Sequence, residues 1–401
     1  MFINLLKPHV FIQQGIHLFM DIQKRALELH EKLKGKIEVV SKIPVKTAMD
    51  LSLAYTPGVA EPCRVISKDK EAVYKYTFKG NTVAVVTDGS AVLGLGNIGP
   101  EAALPVMEGK ALLFKEFAGI DAFPICVATQ DVQKTIDTVR NIAPGFGGIN
   151  LEDIKAPECF EIEAALQDLG IPVMHDDQHG TAVVLLAALI NALKVVGKDT
   201  SAKVVVNGAG AAGVAVTKLL LKYGIENVIM CDSKGIIYEG REDVGSKTKK
   251  EMSLLTNKEK IQGSLADALK GADVFVGVSV KDAVSKDMVK SMNDAVIIAM
   301  ANPDPEILPQ DALDAGAKVV ATGRSDFPNQ VNNVLGFPGI FKGALEARAT
   351  KITEEMKMAA AKALAGLVEN PSAEMIIPAA INKNVVPKVA EAVKKAYENS
   401  F

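Results

Sequence analysis

The chain has 401 residues, enough for two domains of ordinary size, and its 48% hydrophobic and 23% charged residues are typical of a globular enzyme. Its net charge of −3 gives no basis for binding nucleic acid or a membrane surface, and its apolar runs are too short to span a bilayer. Four cysteines lie scattered without a CxxC pair, which predicts free thiols in a reducing cytoplasm: Cys63, Cys126, Cys159 and Cys231.

The first half of the chain alternates predicted helices and strands. Residues 1–19 are expected to be an extension without a function, because Met20 directly precedes an amphipathic helical pattern over 21–35. Residues 50–60 are predicted to be a loop, since Pro57 and Gly58 favour a turn. Strands are predicted over 82–87, 121–126, 149–151 and 171–174, and helices over 69–76, 100–118, 133–142, 157–169 and 181–193.

The second half repeats the alternation. Strands are predicted over 203–207, 227–231, 273–278, 295–299 and 318–322, and helices over 213–223, 353–367 and 385–397. Strands that alternate with helices in this way are typical of parallel sheets, so the sequence predicts an α/β fold.

A dinucleotide-binding fingerprint, GxGxxG, occurs twice. The copy made by Gly208, Ala209, Gly210, Ala211, Ala212 and Gly213 follows a predicted strand directly and opens a helix, which places a pyrophosphate at the helix N-terminus. Asp232 ends the next strand, close to the spacing of about 20 residues expected for an acid that binds ribose. This acid favours NAD over NADP, although the adjacent Ser233 and Lys234 could weaken that preference. The copy over 94–99 is predicted to be a tight turn that could also line the active site.

Two adjacent carboxylates lie between apolar segments in the stretch IPVMHDDQHGT, residues 171–181. Asp176 and Asp177 repel each other and lose hydration there, and a divalent cation is one remedy. The alternative is that Asp177 or Gln178 simply caps the following helix. The stretch alone leaves both interpretations open.

Three further segments carry candidate chemistry, each with a structural alternative. Lys110 lies in a mainly apolar stretch, where it either extends to solvent or acts as a base with a lowered pKa. Glu152 and Asp153 could bind a metal or could form the acidic start of a helix. Tyr55 could be catalytic or a surface aromatic in a turn.

Taken together, these segments resemble the motifs of malic enzymes of the short bacterial type, from Met20 to the end of the chain. The matching segments are AYTPGVAEPCR (54–64), VVTDGSAVLGLGNIGPEAALPVMEGKALLFKEFAGID (85–121), INLEDI (149–154), HDDQHGTA (175–182), NGAGAAG (207–213), ANPDPE (301–306) and NNVLGFPG (332–339).

The resemblance implies a role for each candidate. Tyr55 would be the general acid and Lys110 the general base, and a metal site would be formed by Glu152, Asp153 and Asp177. A set of carboxylate oxygens suits Mg²⁺ or Mn²⁺ better than Zn²⁺. A base for the hydroxyl proton and a separate acid for the enol carbon are also what the chemistry requires.

Other positions follow from the same resemblance. Asn302 and Asn333 would contact substrate or nicotinamide, and Asp176 would support the metal ligands without binding the metal. Larger malic enzymes carry an arginine that holds the malate carboxylate at the position of Ala91. Another group must replace that arginine, and four candidates remain open: Lys42, Lys46, Arg64 and Asn333.

The resemblance also implies the architecture and the reaction. An N-terminal α/β substrate and dimerisation domain is expected over 20–165, a Rossmann-type doubly wound nucleotide-binding domain over 166–370, and C-terminal helices over 371–401 that pack back on the body. The expected reaction converts L-malate and NAD or NADP to pyruvate, CO₂ and the reduced nucleotide, in a homodimer whose active site borrows the segment of Tyr55. A malolactic enzyme and a catalytically silent nucleotide-binding protein are the alternatives, and intact Tyr55 and Lys110 argue against the silent protein.

Overall fold

The structure is a computed structural model that describes residues 22–400, apart from the side chain of Leu93, and the predicted extension over 1–19 lies outside these residues. The described strands are β1 (Thr82–Thr87), β2 (Asp121–Cys126), β3 (Gly148–Leu151), β4 (Val173–His175), β5 (Val204–Asn207), β6 (Val228–Asp232), β7 (Gly235–Ile236), β8 (Val274–Gly277), β9 (Val296–Ala299) and β10 (Val319–Thr322).

The described α-helices alternate with these strands through most of the chain. They are α1 (22–33), α2 (Ala48–Ala54), α3 (Ala60–Lys68), α4 (Val73–Tyr76), α5 (Pro100–Ala118), α6 (Val132–Ile142), α7 (Glu158–Ala165), α8 (Asp176–Val195), α9 (Ala211–Tyr223), α10 (Lys247–Leu255), α11 (Leu265–Leu269), α12 (Lys286–Lys290), α13 (Pro309–Asp314), α14 (Phe337–Glu346), α15 (Glu354–Gly366) and α16 (Val385–Glu398).

Within the described residues the strands form two sheets. The first has the order β2-β1-β3-β4, and every neighbouring pair in it is parallel. The second has the order β10-β9-β8-β5-β6-β7, in which only the short β7 pairs antiparallel. The strand order reverses at β5, between β6 and β8, as in a doubly wound nucleotide-binding sheet. The predicted two-domain α/β fold is therefore confirmed.

Helix α8 joins the two sheets. Its residues from Ala182 to Leu193 are all buried, and they share one hydrophobic core with β1, β5, α9, α14 and α15. The helix is long and apolar enough to pass a test for a membrane span, but burial inside the protein explains the same composition. Because β4 precedes this helix and completes the first sheet, that sheet extends to His175; the boundary between the predicted domains stays a prediction.

Two predicted loops are in fact helical. Residues 48–54 form α2 rather than a loop, because Thr47 and Asp50 make a reciprocal capping box that starts the helix. Likewise, α8 begins at Asp176 rather than near residue 181, so the two adjacent aspartates lie in its first turn. The shift places both carboxylates where backbone N–H groups of the helix point outward.

Candidate active site

The candidate residues converge at the carboxyl ends of β3 and β4, which are neighbours in the first sheet. Glu152 and Asp153 follow β3 directly, and the first turn of α8 follows β4 with Asp177 in it. Helix α5 crosses behind this edge and contributes Lys110. Parallel strands bring their carboxyl ends to one edge, so segments far apart in the chain meet there.

Glu152, Asp153 and Asp177 form an acidic cluster, with one carboxylate oxygen from each lying within 4.8 Å of the others. Glu152 and Asp153 are buried, and the backbone N–H of Asp153 donates to Asp177 Oδ2 at 2.8 Å. Asp153 has a φ of 53°, a left-handed conformation that turns the chain sharply after β3. The donor set consists of carboxylate oxygens, which suits Mg²⁺ or Mn²⁺.

Burial of this cluster disfavours its negative charges. It raises the pKa of Glu152 and of Asp177 above their ordinary values, although the nearby ammonium of Lys110 works in the opposite direction. A divalent cation would remove this cost by neutralising the carboxylates. The residues present therefore fit such an ion.

The ammonium of Lys110 is buried beside the cluster. Its Nζ lies 2.9 Å from Glu152 Oε1 and 2.6 Å from Asp176 Oδ2, and it sits 4.2 Å from the centre of the Phe337 ring. With 6% of its surface exposed, this lysine does not extend to solvent. Burial alone would lower the pKa of Lys110, but Asp176 and Glu152 outweigh burial and raise it. The lowered pKa expected for this lysine depends on a neighbouring cation, and it stays a prediction.

Two other structural alternatives are also wrong. His175, not Asp177 or Gln178, occupies the N-cap position of α8, and no side chain caps this helix. Glu152 and Asp153 do not start a helix, since α7 begins only at Glu158. Both carboxyl groups remain directed into the acidic cluster.

The two asparagines lie in different places: Asn333 begins a short 3-10 helix before α14, and Asn302 lies in the loop after β9. Asn333 Nδ2 donates to Asp176 Oδ2 at 2.6 Å, so Asp176 is held by both Asn333 and Lys110. Asn302 packs against the first glycine fingerprint: a Cβ on Gly94 would come within 2.3 Å of the Asn302 carbonyl oxygen. The Gly94 copy forms a turn, as predicted, in which Val92 pairs with Gly96.

Tyr55 lies outside this cluster. Its side chain is 66% exposed, and helix α2, which it terminates, buries none of its residues. Two of the candidate cations for the substrate carboxylate, Lys42 and Arg64, are also exposed. Lys42 Nζ lies 4.0 Å from Asp121 Oδ2, and Arg64 Nη1 lies 2.9 Å from Glu61 Oε2. Of the four candidates for this role, the structure places Asn333 beside Lys110 within one chain.

A cleft of about 980 Å³ lies at the carboxyl end of β5, and the second glycine fingerprint, residues 208–213, forms part of its lining. Gly208 has a φ of 120°, and a Cβ there would lie 2.4 Å from the carbonyl oxygen of Val278. A Cβ on Gly213 would lie 1.8 Å from the carbonyl oxygen of Gly208, whereas Gly210 faces open space. No side chain caps the N-terminus of α9, so its N–H groups are available to a pyrophosphate.

Asp232 lines the same cleft but is already engaged. Arg241 Nη2 lies 2.9 and 2.8 Å from its two oxygens, and Lys249 Nζ lies 3.0 Å from Oδ2. Burial opposes the charge of this carboxylate, yet the hydrogen bonds from Arg241 and Lys249 hold its pKa below the ordinary value. The sequence analysis did not find Arg241 or Lys249, because only folding brings them to Asp232.

Sequence models of known protein families match both halves of the chain. The malic enzyme N-terminal domain matches residues 34–167, and the malic enzyme NAD binding domain matches residues 178–397.

The chain belongs to the malic enzyme family.

Relatives extend over nearly the whole chain. A bifunctional malic/malolactic enzyme of Bacillus subtilis is 61% identical over 382 residues, which cover 94% of this chain and 93% of the relative. An NADP-dependent malic enzyme of Halomonas elongata is 50% identical over 401 residues, 94% of each chain. The crystal structure of the NAD-dependent malic enzyme of Thermotoga maritima has a TM-score of 0.90 at 53% identity, covering 92% of this chain and 98% of that chain. The resemblance to malic enzymes is therefore confirmed.

In this malic enzyme Asp176 contacts more of the candidate residues than the sequence suggested. Its Oδ2 is shared by Lys110 and Asn333, and burial raises the pKa of its carboxyl to about 7 despite the lysine. The signal available in the sequence was its position beside Asp177. Which of the two aspartates would face the lysine could not be predicted, because that depends on the rotation of the first turn of α8.

Proposed function

We propose that this malic enzyme converts L-malate and NAD(P)⁺ to pyruvate, CO₂ and NAD(P)H. The observation that carries the proposal is the buried ammonium of Lys110, which contacts Glu152 and Asp176 at the edge of the acidic cluster. The nucleotide cleft begins next to this cluster, since Ala156 and Pro157 line it shortly after Asp153 in the chain. This closeness supports the proposal, because the proposed base, metal ligands and nucleotide site would then adjoin one another.

We infer that Glu152, Asp153 and Asp177 hold a divalent cation, Mg²⁺ or Mn²⁺. When bound, that ion supplies positive charge that stabilises the malate alkoxide and the enolate left by loss of CO₂. The convergence of one oxygen from each of the three carboxyl groups within 4.8 Å supports this inference, because negative charges held this close repel one another unless a cation neutralises them.

Lys110 is the proposed base for the malate hydroxyl. Its Nζ must first release a proton, and Asp176 Oδ2 at 2.6 Å is positioned to receive it. Burial raises the pKa of the Asp176 carboxyl to about 7, so this carboxyl is a better proton acceptor than an ordinary aspartate. Asn333, which donates to the same oxygen, keeps Asp176 oriented toward the lysine.

Tyr55 is the proposed acid that protonates the enol carbon. Its exposure within one chain is explained if the segment belongs to the active site of a second copy in a homodimer. Large apolar side chains on the same segment are also exposed, among them Val39, Ile43, Met49, Leu51, Leu53 and Val59. Such a concentration of exposed apolar surface is typical of an interface. We accordingly propose a homodimer in the cytoplasm.

Steady-state kinetics with malate, Mn²⁺, and NAD⁺ or NADP⁺ test the proposed reaction. Stoichiometric NAD(P)H and pyruvate are expected. A second candidate reaction, malolactic conversion to lactate, is favoured by the bifunctional relative at 61% identity. Lactate without net formation of reduced nucleotide would identify that reaction instead, and the absence of any malate consumption would contradict both.

A further inference from the structure

A second buried polar network lies behind the first turn of α8, and its centre is Glu163 on α7. The backbone N–H of His175 donates to Glu163 Oε1 at 2.9 Å. Gln178 Nε2 lies 3.2 Å and His179 Nε2 3.0 Å from Glu163 Oε2. One carboxylate therefore holds the chain on both sides of Asp176 and Asp177.

The network continues into the C-terminal part of the chain. Lys357 on α15 lies with its Nζ 3.0 Å from His179 Nδ1 and also pairs with Glu354. Because an ammonium can only donate, Nδ1 accepts and the proton of the neutral ring lies on Nε2, where it points at Glu163. Lys357, which lies 178 positions after His179 in the chain, thus contacts a residue in the first turn of α8.

Hydrogen bonds to Glu163 hold this turn on the side that faces α7. Behind it lies a cavity of about 450 Å³, lined by Glu163, Gln178, His179 and Lys357. Glu163 is ionised, since burial opposes its charge but the hydrogen bonds from His179 and from the His175 N–H hold its pKa well below the ordinary value, at about 2. Its bonds are therefore charge-assisted and of the stronger kind.

We propose that Glu163 is a positioning residue for the metal site, and that Lys357 supports it through His179. Glu163 fixes the first turn of α8, so that Asp177 meets Glu152 and Asp153 at the distance the structure shows. This inference rests on the proposed function, because it assumes that the acidic cluster binds a divalent cation. It predicts that two residues that do not contact the cluster set its affinity for metal.

The test is Mn²⁺ binding without substrate, measured by electron paramagnetic resonance of free Mn²⁺ in titrations of the full chain. Glu163→Gln keeps the shape but has one acceptor oxygen instead of two, so it cannot accept both from the His175 N–H on one side and from Gln178 and His179 on the other. We expect its Kd for Mn²⁺ to rise about tenfold or more, as is usual when groups supporting metal ligands are lost. Glu161→Gln, on the exposed face of the same helix, is the matched control and should leave the Kd unchanged.

A purely structural role predicts a different pattern. It would lower the melting temperature of Glu163→Gln without changing the Mn²⁺ affinity of the folded protein. The proposal predicts instead that the activation constant for Mn²⁺ rises while kcat at saturating Mn²⁺ stays near the parental value. NADH binding, followed by fluorescence, should not change. An unchanged Kd for Mn²⁺ in folded Glu163→Gln would overturn the proposal.

Lys357→Met provides a second, independent variant. It should also weaken Mn²⁺ binding, though less than Glu163→Gln, and it decides the question if Glu163→Gln does not fold. An unchanged Kd in Lys357→Met would then overturn the proposal.

Asp177→Asn separates the hypothesis of a metal site from the hypothesis that Glu163 positions it. If this variant abolishes Mn²⁺ binding, the metal site stands whatever the other variants do. If the parent binds no Mn²⁺, both the metal site and the positioning role are wrong.

Discussion

At the scale of single residues, the chemistry depends on how charge is balanced around Lys110. One ammonium neutralises parts of two carboxylates, Glu152 and Asp176, in a place where 6% of the lysine surface is exposed. A buried charge with partners on both sides is costly to remove, because truncation leaves those partners unpaired. The contacts that hold the lysine in place also support the proposal that Asp176 receives its proton.

Lys110→Ala is expected to reduce malate oxidation by about 10²–10⁴-fold, the usual cost of losing a general base. Decarboxylation of added oxaloacetate should be partly retained, because that step needs no hydride acceptor and no hydroxyl base. Both rates are measured by absorbance at saturating Mn²⁺. Lys115→Ala is the control, since Lys115 lies on the same helix, is exposed and pairs with Asp121. Near-parental malate turnover in Lys110→Ala would show that the lysine is structural.

Cofactor choice is also decided at this scale, by Asp232. Its carboxylate should still repel a 2′-phosphate, so NAD⁺ is expected to be used at least as well as NADP⁺. Arg241 and Lys249 are held by that carboxylate, and Asp232→Asn would release them toward a phosphate. We expect the ratio of kcat/KM for NADP⁺ to that for NAD⁺ to rise more than tenfold in this variant, about 1.4 kcal/mol.

Asp243→Asn is the comparison for that experiment, because Asp243 also contacts Arg241 but is half exposed. Its ratio should change less than that of Asp232→Asn. A parental enzyme that prefers NADP⁺ by more than about tenfold would show that Asp232 does not select NAD.

At the scale of elements, the first turn of α8 is the feature on which the site depends. Gly180 lies one helical turn after Asp176, and a Cβ at this glycine would come within 1.8 Å of Asp176 Oδ1. The Asp176 side chain cannot move aside without leaving Lys110 and Asn333. A glycine inside a helix usually lowers stability. Here the missing side chain leaves room for the Asp176 carboxylate.

Gly180→Ala is therefore expected to lower kcat at least about tenfold, because displaced Asp176 no longer receives the proton of Lys110. Gly366→Ala is the matched control: this glycine also lies in a helix, with no atom within 4 Å of the added Cβ. It should retain activity and gain up to about 1 kcal/mol of stability. Thermal unfolding and malate kinetics on both variants check this, and full activity in Gly180→Ala would contradict it.

At the scale of the whole molecule, the site of one chain is incomplete without the proposed acid. The segment with Tyr55 lies on exposed helices, while the proposed base Lys110 and two of the proposed metal ligands, Glu152 and Asp153, are buried at the sheet edge. A symmetric dimer would complete two sites at once, each with Tyr55 from the other subunit. Light scattering should accordingly show a dimer, and a fully active monomer would contradict this arrangement.

Hybrid dimers test the exchange directly. Tyr55→Phe and Lys110→Ala are each expected to be impaired, and mixing them should restore roughly a quarter of parental activity. The reason is that half of randomly formed dimers are hybrids, each with one intact and one doubly defective site. Activity is compared after co-refolding and after simple mixing at low temperature, where subunits do not exchange. No restoration in verified hybrids would place Tyr55 and Lys110 of the same chain in one site.

The sequence by itself determined the family, the α/β class and most strands, because buried parallel strands and fingerprint glycines leave local patterns. The strands β1 and β2 and helix α5 have the bounds that the pattern predicted. The sequence also predicted Glu152, Asp153 and Asp177 as a set, through their resemblance to family motifs and not through any local spacing.

The tertiary structure alone decided which charges meet. Three contacts join residues between 9 and 66 positions apart: Lys110 with Asp176, Asp232 with Arg241, and Glu163 with His175 at the start of α8. The start of α8 at Asp176 was likewise missed, because propensity favours a loop where aspartates and histidines cluster. Packing of α8 between the two sheets overrides that preference, and with it sets the direction of each carboxylate.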